Sequence, residues 1–195
     1  MSAEPAPREG PGHGEGRAAL LTAAVRVMDR VGMRGLTYRA VAEEAGVSHG
    51  LVRHHFGSRD ALIREAVLDL NERALRSTRL GEATGRLEDL GAGTTKMVTE
   101  PDNLPGVDYE FILEARRRPE LTPAVQALYD RYLAATQREL QRLGLAGDPP
   151  LTRLVFAALD GLVLQMLIYG RPGDADAAIA RLHELLAERI RARAR

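Results

Sequence analysis

Apolar residues recur at helical spacing along most of the chain, and Gly- or Pro-containing breaks separate the recurrences. Leu20, Leu21, Ala24, Val25, Met28 and Val31 predict a first helix over 15–31, ended by Gly32. Two short helices follow between Thr37 and Phe56. Thr37 is placed to cap the first, with Ala40, Val41 and Ala45 on one face. Gly46 supplies the left-handed turn residue, Val47 fills the corner, and Ser48 caps the second. Leu51, Val52 and Phe56 are apolar on that second helix, while His49, Arg53 and His54 point outward. A long helix then runs from Ser58 to about Leu80, with Leu62, Ile63, Ala66, Val67 and Leu70 as its buried stripe.

The second half is less regular. A helix over 86–99 is interrupted by Gly91 and Gly93, and 100–106 reads as a loop. Helices are expected over 107–117 and 121–143, the latter with Val125, Leu128, Tyr129, Tyr132, Leu133, Leu140 and Leu143 inward. Leu151 to Tyr169 is the most apolar stretch. Leu151, Leu154, Val155, Ala158, Leu159, Leu162, Val163 and Met166 form one stripe, and Phe156, Leu164 and Ile168 lie off it, so two faces need cover. After a turn over 170–173, Asp174 caps a last helix with Ile179, Leu182, Leu185, Leu186 and Ile190 inward. No strand pattern competes. The fold class is all-α, about nine helices in two parts. The expected organisation is a disordered Pro- and Gly-rich tail over 1–14, a three-helix domain over 15–75 and a C-terminal helical domain over 76–195.

Two short helices joined by a Gly-containing turn form a helix-turn-helix, whose second helix enters the DNA major groove. Charge sharpens that reading. The formal net charge is zero although 28% of residues are charged, so any nucleic-acid surface is local. Between Ala45 and Arg59 there is no acidic residue, while His49, Arg53, His54, His55 and Arg59 all occur. His49, Val52 and Arg53 fall within reach of base edges; Tyr38, Arg39, His54, Ser58 and Arg59 flank them for phosphates. Thr37, Ser48 and Gly50 complete the candidate DNA-binding set. Arg17 is a further phosphate candidate, equally readable as solvated, and Arg8 reads first as part of a solvated tail and second as a DNA-contacting arm. Lys96 is the only lysine, and Arg richness suits bidentate contacts as well as a biased base composition.

The stretch Ala45-Gly46-Val47-Ser48, followed by His54-His55-Phe56-Gly57-Ser58-Arg59-Asp60-Ala61-Leu62, resembles the DNA-binding domain of the TetR family of bacterial transcriptional regulators. The resemblance covers roughly 15–75. The family usually carries Tyr where this chain has Arg53, and often Lys where it has Arg59. A guanidinium at 53 is able to read guanine N7 and O6, which leaves DNA binding expected but shifts the operator. The resemblance also implies a ligand pocket among the C-terminal helices and a homodimer made by the last two. Met97, Tyr109, Phe111, Tyr129, Tyr132, Gln165, Met166 and Tyr169 are the candidate lining; taken singly each reads first as ordinary core, and taken together they point to a cavity in the region.

The expected function is a homodimeric repressor that binds double-stranded operator DNA and is released by a small-molecule inducer. A ligand-independent helical protein that coats or bends DNA is the alternative, and a helical interaction module the more distant one. Enzyme chemistry is not expected. There is no cysteine, no phosphate-binding glycine loop, no nucleophile elbow and no helical His/Glu metal pair, so neither cofactor nor metal is anticipated. No apolar leader precedes the first helix. The longest apolar run, Leu154 to Tyr169, is shorter than the roughly 20 residues of a membrane span and contains Asp160 and Gln165. A cytoplasmic protein without membrane contact is the expectation.

Overall fold

The computed structural model describes residues 13–77, 80, 82–100 and 103–193. Arg8 and nearly all of the predicted tail lie outside these residues. Nine α-helices and no strand occur among the described residues: α1 (His13–Gly35), α2 (Tyr38–Ala45), α3 (His49–Phe56), α4 (Arg59–Ser77), α5 (Lys96–Thr99), α6 (Pro105–Glu114), α7 (Thr122–Arg142), α8 (Pro149–Tyr169) and α9 (Pro172–Arg193). Contacts divide the chain into two compact units, Met1–Ala66 and Val67–Arg195, with the division inside α4.

In the N-terminal unit α1 packs on α2, and α2 on α3. Leu20, Ala24, Val25 and Met28 of α1 are buried, as are Val41, Val52 and Phe56. Gly32 breaks α1 at φ 72° and ψ 166°, and Met33 and Leu36 beyond it turn inward. Thr37 Oγ1 accepts from the amide of Ala40 at 3.1 Å, the expected cap of α2. Gly46 is left-handed, and the amides of Gly46 and Val47 donate to Glu43 O and Ala42 O, a closure that strands no buried amide at the corner. Ser58 Oγ accepts from the amide of Ala61 at 3.1 Å and caps α4. Ser48 precedes α3 in an extended conformation, but its side chain makes no capping bond, which corrects that expectation; its carbonyl accepts from Leu51 instead.

The C-terminal unit packs α7 on α8, α8 on α9, and α5 on α8. Leu90, Ala135, Leu140, Leu145, Val155, Leu159, Ile179 and Leu186 form its main cluster. The helix predicted over 86–99 does not form as one piece. A 3-10 turn at Leu87–Asp89 and the short α5 flank Gly91, which sits at φ 80°. Among the boundaries that move outward, α6 starts at Pro105, inside the predicted loop, and α9 starts at Pro172 rather than at an Asp174 cap. Proline fits both places, because the first helical position has no amide bond to lose.

α8 departs from its predicted stripe. Val155, Leu159, Val163 and Met166 are buried, but Leu154 is 66% exposed, and Leu164, Leu167, Ile168 and Tyr169 are exposed too. Leu185 of α9, predicted inward, is also exposed. By length and composition alone the 21-residue α8, with a mean hydropathy of 1.7 over its most apolar 18 residues, is long enough to cross a membrane, as core helices of soluble proteins also are.

Candidate DNA interface and ligand cavity

α3 is fixed from beneath by two side chains. Val52 is fully buried and Phe56 nearly so, anchoring the helix on the N-terminal core. Val52 therefore cannot reach a base edge, and its place in the expected DNA-binding set is corrected. The opposite face carries His49, Gly50, Leu51, Arg53 and His54, all exposed. Leu51 was expected among the inward apolar residues; it stands outward, where an aliphatic side chain suits a thymine methyl. His55 is half-buried, its ring 5.9 Å from that of His54 and 6.2 Å from Phe56.

The flanking polar residues are already bonded. Tyr38 donates its hydroxyl to Gly57 O at 3.1 Å, tying α2 to the residue that ends α3. Arg39, on the exposed face of α2, pairs with Glu43 at 2.9 Å, a contact between solvated side chains that a phosphate readily displaces. Arg59 is different. Its Nε donates to Leu36 O at 2.7 Å and its Nη2 donates to Met33 O, so the guanidinium caps the carbonyls just past the break in α1. The phosphate role expected of Arg59 gives way to this structural one. Arg17 likewise pairs with Glu65 and lies 5.1 Å above the Phe56 ring, which accounts for it without DNA.

The C-terminal unit encloses a cavity of about 70 Å³, several times the space one water needs. Leu80, Leu128, Leu159 and Val163 make its apolar wall. Tyr132 stacks on Phe156 at 5.7 Å, and Tyr129 meets the same ring edge-on at 5.5 Å. Two carboxyls reach this apolar space, Asp108 from α6 and Asp160 from α8. Asn71 of α4 is fully buried beside them. Its Nδ2 donates to Asp108 Oδ1 and to Val67 O, both at 2.8 Å, and its Oδ1 accepts from the Tyr132 hydroxyl at 2.9 Å. The Tyr109 hydroxyl donates to Asp160 Oδ1 at 3.0 Å and lies 2.9 Å from Asp160 O.

Burial sets the electrostatics. Loss of water pushes the Asp108 carboxyl up to about 7; the Asn71 bond opposes the rise and the Asp160 charge adds to it. Asp160 is raised from the usual carboxylate range by desolvation, opposed by hydrogen bonds from Tyr109 and Tyr129. The phenols of Tyr109, Tyr129 and Tyr132 are all raised, first by desolvation and then by nearby carboxylate charge.

Comparison with known proteins decides what these two parts are. The family description "Tetracyclin repressor-like, C-terminal domain" matches residues 81–189, more than half of the chain. The chain belongs to the TetR family. "Bacterial regulatory proteins, tetR family" matches residues 20–66 in addition. The HTH-type transcriptional regulator BetI of Paraburkholderia xenovorans (strain LB400) is 27% identical over 180 residues, 87% of this chain and 91% of that protein. The structure of a TetR family member from Streptomyces coelicolor A3 aligns with a TM-score of 0.70 at 30% identity, covering 89% of this chain and 97% of its own. The multidrug binding protein EbrR complexed with ethidium aligns with a TM-score of 0.65 at 29% identity, covering 89% of this chain and 97% of its own. As a TetR family member this protein is a helix-turn-helix transcriptional regulator that binds DNA.

Within that family frame, the expected ligand residues separate cleanly. Met97, Tyr109, Tyr129 and Tyr132 line the cavity. Phe111 and Met166 are buried outside its lining, as core. Gln165 and Tyr169 are exposed on α8 and are not among the residues that line it. Sequence reasoning missed Asn71, Asp108, Phe156 and Asp160. A signal existed for the polar three: each interrupts an apolar helix face, which is costly unless the group is bonded.

Proposed function

We propose that this protein is a homodimeric, operator-binding repressor, released from DNA when a small molecule enters the cavity of its C-terminal unit. The cavity carries the reading. A mostly apolar space with a few convergent polar groups of displaced pKa fits a ligand site better than a packing defect. Its structural neighbour EbrR is a multidrug binding protein complexed with ethidium, which supports small-molecule binding by a protein of this fold. His49, Leu51 and Arg53 read bases; Arg39, His54 and Ser58 hold phosphates, with Thr37, Tyr38, Ser48 and Gly50 at the edge of the contact. The exposed apolar residues of α8 and α9 form the dimer interface. A bacterial regulator of this kind works in the cytoplasm.

The test begins by selecting bound fragments from a random DNA pool. A palindrome-like motif with half-sites about one or more helical turns apart, roughly 34 Å per turn, is the expected result. A ligand found by thermal-shift screening is then titrated with and without that DNA. Ligand affinity that is the same in both titrations would rule out release by that compound. Binding without sequence preference would favour the architectural alternative.

A further inference from the structure

We infer that the cavity selects a monovalent organic cation: an ammonium group seated between Asp108 and Asp160, with its apolar body against Tyr129, Tyr132 and Phe156. The inference rests on the cavity being the effector site proposed above. Its first support is a charge imbalance. Two carboxyls enter the space, and the described lining residues include no Lys, Arg or His. Arg131 of α7, whose charge acts on Tyr132, pairs with Glu72 at 2.8 Å; Arg73 of α4 lies 3.1 Å from Asp69, an ion pair that leaves its buried Nε and Nη2 without a hydrogen-bond partner. Buried carboxylates are ordinarily paired with a base, because an uncompensated one is strongly disfavoured. Here no base among the described lining residues supplies the countercharge.

The second support is the geometry around the gap. Asn71 and Tyr109 satisfy one oxygen of each carboxyl, which holds the groups in place without neutralising them. Three aromatic rings from α7 and α8 converge beside them, and ring faces attract a desolvated cation. An anion would meet two carboxyls and no base. A neutral guest would fill the space and leave Asp108 protonated.

The charge of the guest therefore sets how binding responds to pH. The titratable groups facing Asp108 are Asp160 of α8 and the phenols of Tyr109, Tyr129 and Tyr132; Asn71 of α4 is its bonded neighbour, and Arg131 of α7 acts on Tyr132. With the cavity empty, Asp108 holds its proton up to about pH 7. A cation favours the ionised carboxyl and expels that proton, so cation affinity rises with pH through this range. Neutral binding is flat, and anion binding weakens as pH rises. Ionisation also turns the Asn71 to Asp108 hydrogen bond into a charge-assisted one, and Asn71 stands on α4.

The experiment is calorimetry on the full-length chain with three probes: phenyltrimethylammonium, its uncharged carbon isostere tert-butylbenzene, and benzenesulfonate. The cation is expected to bind about tenfold or more tightly than the isostere. Its affinity should rise between about pH 6 and 8, with proton release shown by heats that differ between buffers. In Asp160→Asn, checked for an unchanged melting profile, the cation-to-isostere ratio should fall toward one. The wild-type pH response stands as evidence even where the variant fails to fold. Equal or tighter binding of tert-butylbenzene or benzenesulfonate, or a cation affinity flat with pH, overturns the inference while leaving the cavity a ligand site. Binding of none of the three overturns it too, and the operator-release titration then decides separately whether the cavity is an effector site.

Discussion

At the scale of single residues, two arginines six positions apart have opposite settings. Arg53 is exposed on α3, whereas Arg59 is bonded to carbonyls at the end of α1. Arg53→Ala should cost about 1–3 kcal/mol on the selected operator and relax preference at one base position, read by repeating the pool selection. Arg59→Ala should instead lower stability by about 2 kcal/mol, seen in denaturant unfolding, because two carbonyls lose a charged donor. Asp108 makes a third residue-level prediction. Its pKa is raised on folding, so the stability it contributes is fully present below the unfolded value of 3.8 and is lost as pH rises through about 7. Asp108→Asn keeps an acceptor for Asn71 and removes the titration. The stability of the variant relative to the unmodified protein should therefore climb by on the order of a few kcal/mol from about pH 4 to 7, measured by urea unfolding. Residues such as Asn71, Asp108 and Asp160 were visible in the sequence only as polar interruptions. Their partners lie far along the chain, 37 positions for Asn71 and Asp108 and 51 for Tyr109 and Asp160, and no local rule connects them.

At the scale of elements, the sequence was most legible where a local device fixes the backbone. The break at Gly32, the cap at Thr37 and the left-handed Gly46 stand where expected, because each depends on neighbours within a turn. α5 was not legible, since its flanking glycines remove the periodicity that marks a helix. α8 was legible as a helix but not in its facing. Apolar side chains surround it, so periodicity alone does not say which of them the chain covers for itself. The uncovered ones are Leu154, Leu164, Leu167, Ile168 and Tyr169, with Leu185 on α9. If they form a two-fold interface, Ile168→Glu should yield a monomer by light scattering at micromolar concentration and abolish tight operator binding. The monomer should retain its helical circular dichroism, because Ile168 is already 64% exposed within one chain. A dimer that persists in this variant and in Leu154→Glu would place the interface elsewhere.

At the scale of the molecule, α4 is one continuous helix from Arg59 to Ser77, beginning at the DNA reader and carrying Asn71 to the cavity. An effector that acts through it must obey reciprocity. If it weakens operator binding about 5–150-fold, operator must weaken effector binding by the same factor. Asn71→Ala should reduce that factor more than it reduces effector affinity itself, which two titrations on the same preparation measure directly. The aromatic lining of the cavity has one more consequence, and it is optical. The chain contains no tryptophan and five tyrosines, three of which line the cavity. Near-ultraviolet emission from this protein is therefore tyrosine emission, and most of its emitters sit around the cavity. The Tyr109 hydroxyl is bonded to Asp160, so an occupant that takes over that carboxyl should change the emission of Tyr109. If the cavity is the effector site, titration of the effector should be readable in native fluorescence, with no label attached and no DNA present.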